Sequence, residues 1–279
     1  DLLSAEEFLK LCKKGEKLLE QNMALTEDAD ILLPSIIICE EFFKRMKAKQ
    51  VWISGTDMND GIAYDYATEK RYVNSSRDFN EDIYSEAVQT MKRYVADGSH
   101  NYYVEKACRT IFKGLAKEFG LSKRDELILR IAAILHNCGA YITLAHAVRG
   151  SSYIVKRTEL IGLSNKERKM VSEIIRYHKM NMDEFLDAID GQGLGRKETS
   201  LIGKLTVILG IANTLDAAHR QKFESMKTNV KNDEFRITVN SLSEGVLEKQ
   251  FMERYEEFFE SMFGYKLILR EKNQRFTTL

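Results

Sequence analysis

Apolar residues along this chain recur mostly at three- and four-residue intervals, the spacing that lines one face of an α-helix. Ser4 and Glu7 stand at capping-box spacing ahead of Phe8, Leu11, Cys12, Leu18 and Leu19, which predicts a helix over roughly 4–22. After Pro34, the only proline, Ile36, Ile37, Ile38, Phe42 and Phe43 run into the basic segment from Lys44 to Lys49 and predict a second, largely buried helix. Val51-Trp52-Ile53-Ser54-Gly55 has strand character and leads through Asn59-Asp60-Gly61 into another apolar turn, so the first 70 or so residues read as α/β.

Between Arg71 and Phe79 the chain is polar, with Asn74, Ser75 and Ser76 in sequence, and a domain boundary is expected there. Long helical stripes follow, first Tyr84, Ala87, Val88, Met91, Tyr94 and Val95, then Val104, Ala107, Cys108, Ile111, Phe112 and Leu115. Leu127 to Leu135 is apolar nearly all round, which suits a helix at the centre of a bundle, and it ends at His136. Further inward stripes precede His178 and span Leu201 to Leu215. In the tail, Phe235, Ile237 and Val239 alternate with polar residues, a helix is expected from about Gly245 to Met262, and Tyr265 to Leu269 returns to strand character. Three segments result: α/β at 1–75, helical at 76–220, and a small β-α-β module at 221–279.

Composition narrows the function classes. Hydrophobic residues at 44% against 30% charged supply real cores, and Lys plus Arg balances Asp plus Glu at 42 each. That balance leaves no global field to draw the chain onto a nucleic-acid duplex or anionic lipid, so any polyanion site must be local. Cys12, Cys39, Cys108 and Cys138 are widely spaced among apolar residues without a CxxC pair, which predicts free, buried thiols and a cytoplasmic location. No apolar run approaches the roughly 20 residues of a membrane helix. The chain opens on Asp1 and enters a helix almost at once, so an upstream segment is expected.

Five histidines, at 100, 136, 146, 178 and 219, all fall in the predicted helical domain. A single helical histidine is usually packed or solvated, so arrangement must carry any functional reading. Gly191, Gly193 and Gly195 do not stand between a strand and a helix as a dinucleotide fingerprint requires, and read as a loop. His100-Asn-Tyr-Tyr-Val104, Leu135-His136-Asn137-Cys-Gly139, Arg176-Tyr177-His178 and Ile211-Ala-Asn213-Thr-Leu-Asp216 follow the order of an HD-domain protein. With Asp28-Ala-Asp-Ile-Leu-Leu-Pro34, Ser54 to Gly61, Ser151-Ser-Tyr-Ile-Val155, Gly162 to Arg168 and Phe258-Phe259-Glu260, these segments resemble the C-terminal half of the exopolyphosphatase and guanosine pentaphosphate phosphohydrolase family.

The resemblance implies a mainly α fold, an HD-type helical bundle flanked by the trailing piece of an actin-like α/β domain and the C-terminal module. In metal-dependent HD domains a histidine, a vicinal His-Asp pair and a distant Asp gather a divalent cation that activates water. The matching positions are His100, His136, Asn137 and Asn213, so two carboxylates are replaced by amides and tight binding of a hard cation is not expected. Ala147, Val148 and Gly150 stand where relatives carry a histidine-rich run, with His146 out of register. Asp216 and His219 are weaker candidates as replacement ligands, and a neutral hydrogen-bonded cluster fixing three helices is the preferred reading.

The family's chemistry, removal of a terminal phosphate from polyphosphate or guanosine pentaphosphate with magnesium or manganese, needs glycine-rich phosphate loops and a carboxylate base. Neither is found here, so no cofactor and no turnover are expected of this stretch alone, and Asn59-Asp60-Gly61, standing where the family often has Arg-Glu-Gly, lacks the cation of a local ion pair. Arg149, Lys156, Arg157, Lys166, Arg168 and Lys169 are candidate cations for holding a long polyanion, set against the ordinary reading of a solvated face balanced by Glu159 and Glu167. Two functions stay open: the substrate-holding or regulatory part of an exopolyphosphatase-like hydrolase, and a non-catalytic module for dimerisation or nucleotide sensing. A homodimer is implied by the resemblance.

Overall fold

A computed structural model describes residues 2–22, 29–52, 58–70, 72, 78–190, 195–241 and 246–273. The chain forms two compact units, Asp1–Ser76 and Arg77–Leu279.

In the first unit the Ser4–Glu7 pair forms as its spacing predicts, with the Ser4 amide donating to Glu7 Oε2 at 2.8 Å, and helix α1 starts at Ala5 and runs to Asn22. Ahead of it lies a strand the sequence did not reveal, β1 (Leu2–Ser4), antiparallel to β2 (Gln50–Trp52) with Leu3 opposite Val51. Ile53, Ser54 and Gly55 lie outside the described residues. Helix α2 (Ala29–Met46) contains Pro34 rather than starting after it, and it is not largely buried. Phe43 packs on Phe8 with ring centroids 4.8 Å apart, while Ile31, Ile37, Ile38 and Phe42 are exposed, and so is Cys39, against the burial expected of it. An apolar run records the demand for burial, and α1 alone covers only one of its faces. Asn59-Asp60-Gly61 lies in the opening turn of α3 (Met58–Glu69).

The second unit begins with α4 (Phe79–Tyr94), α5 (Ser99–Phe119) and α6 (Lys123–Leu135). A short 3-10 turn at Cys138–Tyr141 leads to α7 (Ala147–Arg157), α8 (Asn165–Tyr177), α9 (Met182–Ile189) and α10 (Arg196–Thr214). Boundaries are set by local chemistry: Ser122, Ser164 and Asn181 each form a capping box with the acid three residues on, and Gly120 ends α5 in the left-handed region at φ 62°. Every residue of α6 from Leu127 to Leu135 is buried, Arg130 included. Arg130 donates to Glu105 at 2.7 Å and Glu81 at 2.5 Å, and lies over the Tyr84 ring at 3.9 Å, so one guanidinium ties α4, α5 and α6 together.

The tail holds one strand more than its pattern suggested. β3 (Phe223–Lys231) pairs antiparallel with β4 (Glu234–Ser241), and β5 (Lys266–Asn273) pairs parallel with β4 after the crossing helix α11 (Val246–Phe263). A register shift between Phe223 and Ser225 breaks the alternation of β3, which hid it in the sequence. One continuous core runs from Ile83 and Met91 through α5, α6, α8 and α10 to Phe235, Phe258 and Leu267, so the sheet and α11 share it with the bundle. Gly191 and Gly193 lie outside the described residues, and Gly195 is the N-cap of α10. Among the described residues no helix is long and apolar enough to cross a membrane.

Candidate functional site

Four histidines meet where helix ends converge. His100 sits in the first turn of α5, His136 directly follows α6, His178 directly follows α8, and His219 lies in the turn after α10. His136 and His178 use the same local design. The Nδ1 atom of each reaches back to the carbonyl oxygen three residues earlier, Ala133 at 2.7 Å and Ile175 at 2.6 Å. A carbonyl oxygen only accepts, so Nδ1 carries the proton in both rings and the lone pair lies on Nε2. The Nε2 atom of His178 is buried with no hydrogen-bond partner.

His100 is held from behind. Its Nδ1 lies 2.8 Å from Asp216 Oδ2, and Asp216 also accepts from the Gln221 amide at 2.7 Å and Gln221 Nε2 at 2.8 Å. On the other side His100 Nε2 is 3.3 Å from His136 Nε2 and 3.2 Å from Asn213 Oδ1. His219, in the left-handed region at φ 53°, stacks on His100 with centroids 3.7 Å apart. The His136 and His178 rings meet edge to face, centroids 5.4 Å apart.

These rings enclose a cavity of about 260 Å³ whose wall also includes Asn137, Asn213, Lys179 and Arg254. His100, His136 and His178 form its buried floor, while Lys179, His219 and Arg254 stand exposed at its mouth. Two glycines permit this closeness. A Cβ at Gly210 would fall against the Tyr255 ring and 2.6 Å from the His178 carbonyl oxygen, the atom to which Tyr255 donates at 2.8 Å. A Cβ at Gly150 would lie 3.1 Å from the Cα of Gly139, a backbone contact that sets the start of α7, with Ala147 and Val148, against the cavity.

Burial pushes the His178 imidazole down to about 4. Burial does the same to His136, lowering it well below the usual histidine range, with the neighbouring His178 and His100 adding to the effect. His219 is lowered by partial burial and by His100. Burial pushes Asp216 up, but the hydrogen bonds from His100 and Gln221 outweigh it and hold the carboxyl below its usual range. His136 and His178 are therefore neutral, with Nε2 lone pairs turned to the cavity, and among the described residues the cavity wall carries no carboxylate.

His100, His136, Asn137 and Asn213, predicted as a set, are brought together on this wall. Their donor set of imidazoles and amides does not suit a hard divalent cation, and the oxygens of Asp216 are committed to His100 and Gln221. Among the described residues no three His, Cys, Asp or Glu side chains have the geometry to hold a metal ion. Sequence reasoning assigned no role to His178, Lys179, Arg254 or Tyr255. The signal for His178 was its place at a helix end after an apolar run, the same context as His136.

The six basic candidates lie elsewhere, on α7 and α8. Arg149, Lys156 and Arg157 are exposed, with Arg157 5.7 Å from the Tyr153 ring centroid. Lys166 pairs with Glu198 at 2.6 Å, and Arg168 donates to Asn165 at 2.7 Å. Lys169 follows on the same helix, half-buried.

Residues 84–257 match the family described as Ppx/GppA phosphatase, domain III. Relatives named guanosine-5'-triphosphate,3'-diphosphate pyrophosphatase include one from Aeromonas hydrophila, 25% identical over 255 residues covering 89% of this chain and 48% of the relative. Those of Vibrio atlanticus and Vibrio cholerae are 22% and 21% identical over 188 residues, 66% of this chain and 36% of each relative. The chain thus spans about a third to a half of the length of the curated relatives it matches.

Proposed function

Since this chain belongs to the Ppx/GppA phosphatase family through its domain III, we propose that it serves as the C-terminal, substrate-holding and regulatory part of a phosphohydrolase acting on polyphosphate or guanosine pentaphosphate. The observation that carries the reading is the match of residues 84–257 to that domain. It is supported by Arg149, Lys156 and Arg157, cations of α7 that are exposed and so accessible to a polyanion. In this reading the phosphate-cleaving step, with its magnesium or manganese, belongs to an actin-like lobe, and this chain alone turns nothing over. The reading extends to a homodimer in the cytoplasm.

The test is binding of long-chain polyphosphate to the purified chain across a salt series, with guanosine pentaphosphate as competitor. Retention that weakens steadily as salt rises supports the holding role. Absence of retention at low salt removes it and favours a dimerisation or sensing module.

A further inference from the structure

The floor of the histidine cavity holds a hydrogen-bond acceptor with nothing to accept from. His136 and His178 spend their Nδ1 protons on backbone carbonyls, and the Nε2 of His178 is buried without a partner. A neutral donor would satisfy such a nitrogen singly; among charged ligands two kinds relieve it, a soft cation that takes the lone pair or an anion that arrives with a proton and turns the nitrogen into a donor. The charges at the mouth decide between them. Lys179 follows α8, Arg254 comes from α11, and His219 completes the rim, so a cation would enter past positive charge. Asp216, the carboxylate in contact with His100, lies behind that ring and is occupied there. Asn137 and Asn213 supply amides, and α7 contributes only Ala147 and Val148.

We propose that this cavity binds one phosphate group of a small phosphorylated ligand and takes up a proton with it. The protonated ring of His178 or His136 keeps its Nδ1–H on the backbone carbonyl and presents Nε2–H to a phosphate oxygen, while Lys179 and Arg254 close over the anion. Each proton moves from solvent to imidazole nitrogen as the anion enters, and no bond of the ligand is broken. At about 260 Å³ the cavity accepts a terminal phosphate and part of the group that bears it, not a length of polymer. This rests on the proposed function only in taking phosphate as the chemistry recognised.

Calorimetric titration of the whole chain tests it, with sulfate as a probe whose own charge does not change with pH. Sulfate binding is expected to saturate at one site, to release buffer-dependent heat that reports proton uptake, and to weaken by up to about tenfold per pH unit between pH 6 and 8 for each proton taken up. Inorganic phosphate and pyrophosphate should displace sulfate, and whichever does so better identifies a free phosphate or a chain end as the preferred source. Lys179→Met, at the exposed rim, should weaken binding about tenfold, and His178→Gln should remove one proton from the uptake. Should His178→Gln fail to fold, imidazole nitrogen resonances of the unaltered chain give the same information, with His178 shifting to the doubly protonated form on sulfate addition. Replacing Arg149, Lys156 and Arg157 together should abolish polyphosphate retention yet leave sulfate binding intact, which separates the phosphate cavity from the polyanion-holding role. Absence of saturable sulfate binding at pH 6, affinity independent of pH, or an unaltered Lys179→Met affinity overturns it.

Discussion

His178 is a base kept neutral by burial, and that has a cost in acid. Its folded value of about 4 lies below the ordinary 6.5, so between these values the unfolded chain binds a proton that the folded chain excludes. Stability contributed by the neutral ring is therefore complete above about pH 6.5 and declines as pH falls toward 4, on the order of 3 kcal/mol across the window. Urea midpoints measured from pH 7.5 to 4.5 should be flat at the upper end and fall below it, and His178→Gln should flatten that fall. A midpoint that rises on acidification contradicts the assignment. The same residue shows where sequence reading stops. His100, His136, Asn137 and Asn213 were legible because they follow an ordered family motif, whereas the role of His178 depends on an Nδ1 contact within its own helix end and on Tyr255 from a segment 77 positions away.

At the level of elements, helices α4, α5, α6, α8, α10 and α11 were visible, because stripes such as Ala87, Met91 and Ile111, Leu115 meet a core that needs them, whereas the shorter α7 and α9 were not read from the sequence. Strands β1 and β3 were not, since three residues have no period and a register shift erases one. Nor did the sequence show which charge would be buried. Arg130 sits in an otherwise apolar helix and is compensated by partners 25 and 49 positions away. Arg130→Met leaves Glu105 buried without that partner and should cost about 3–5 kcal/mol in urea unfolding. The double substitution Arg130→Met with Glu105→Leu should recover most of it, because the stranded charge is then gone. If the double variant is as unstable as the single one, the guanidinium contributes through its packing on Tyr84 rather than through charge.

For the molecule as a whole, the two units are unequal. The continuous core lies entirely within Arg77–Leu279, while in Asp1–Ser76 only Cys12 and Phe43 are buried apolar side chains among the described residues. Residues 77–279 expressed alone should therefore unfold cooperatively at the midpoint seen in the whole chain, with hydrogen exchange slowest in α5, α6 and α10. A lowered midpoint or loss of cooperativity means that the first unit is part of the second unit's fold.

Tyr255 donates to the His178 carbonyl and Arg254 to that of Lys179, so the helix bearing both is tied to the cavity wall. That helix lies between β4 and β5, strands paired in parallel. In time rather than space, the consequence is that His100 leaves the ribosome 155 residues before Tyr255 does, roughly ten to thirty seconds earlier at ordinary synthesis rates. Through that interval the histidines exist without the wall that closes around them. The cavity is therefore completed well after its histidines are made, only once Tyr255 has emerged.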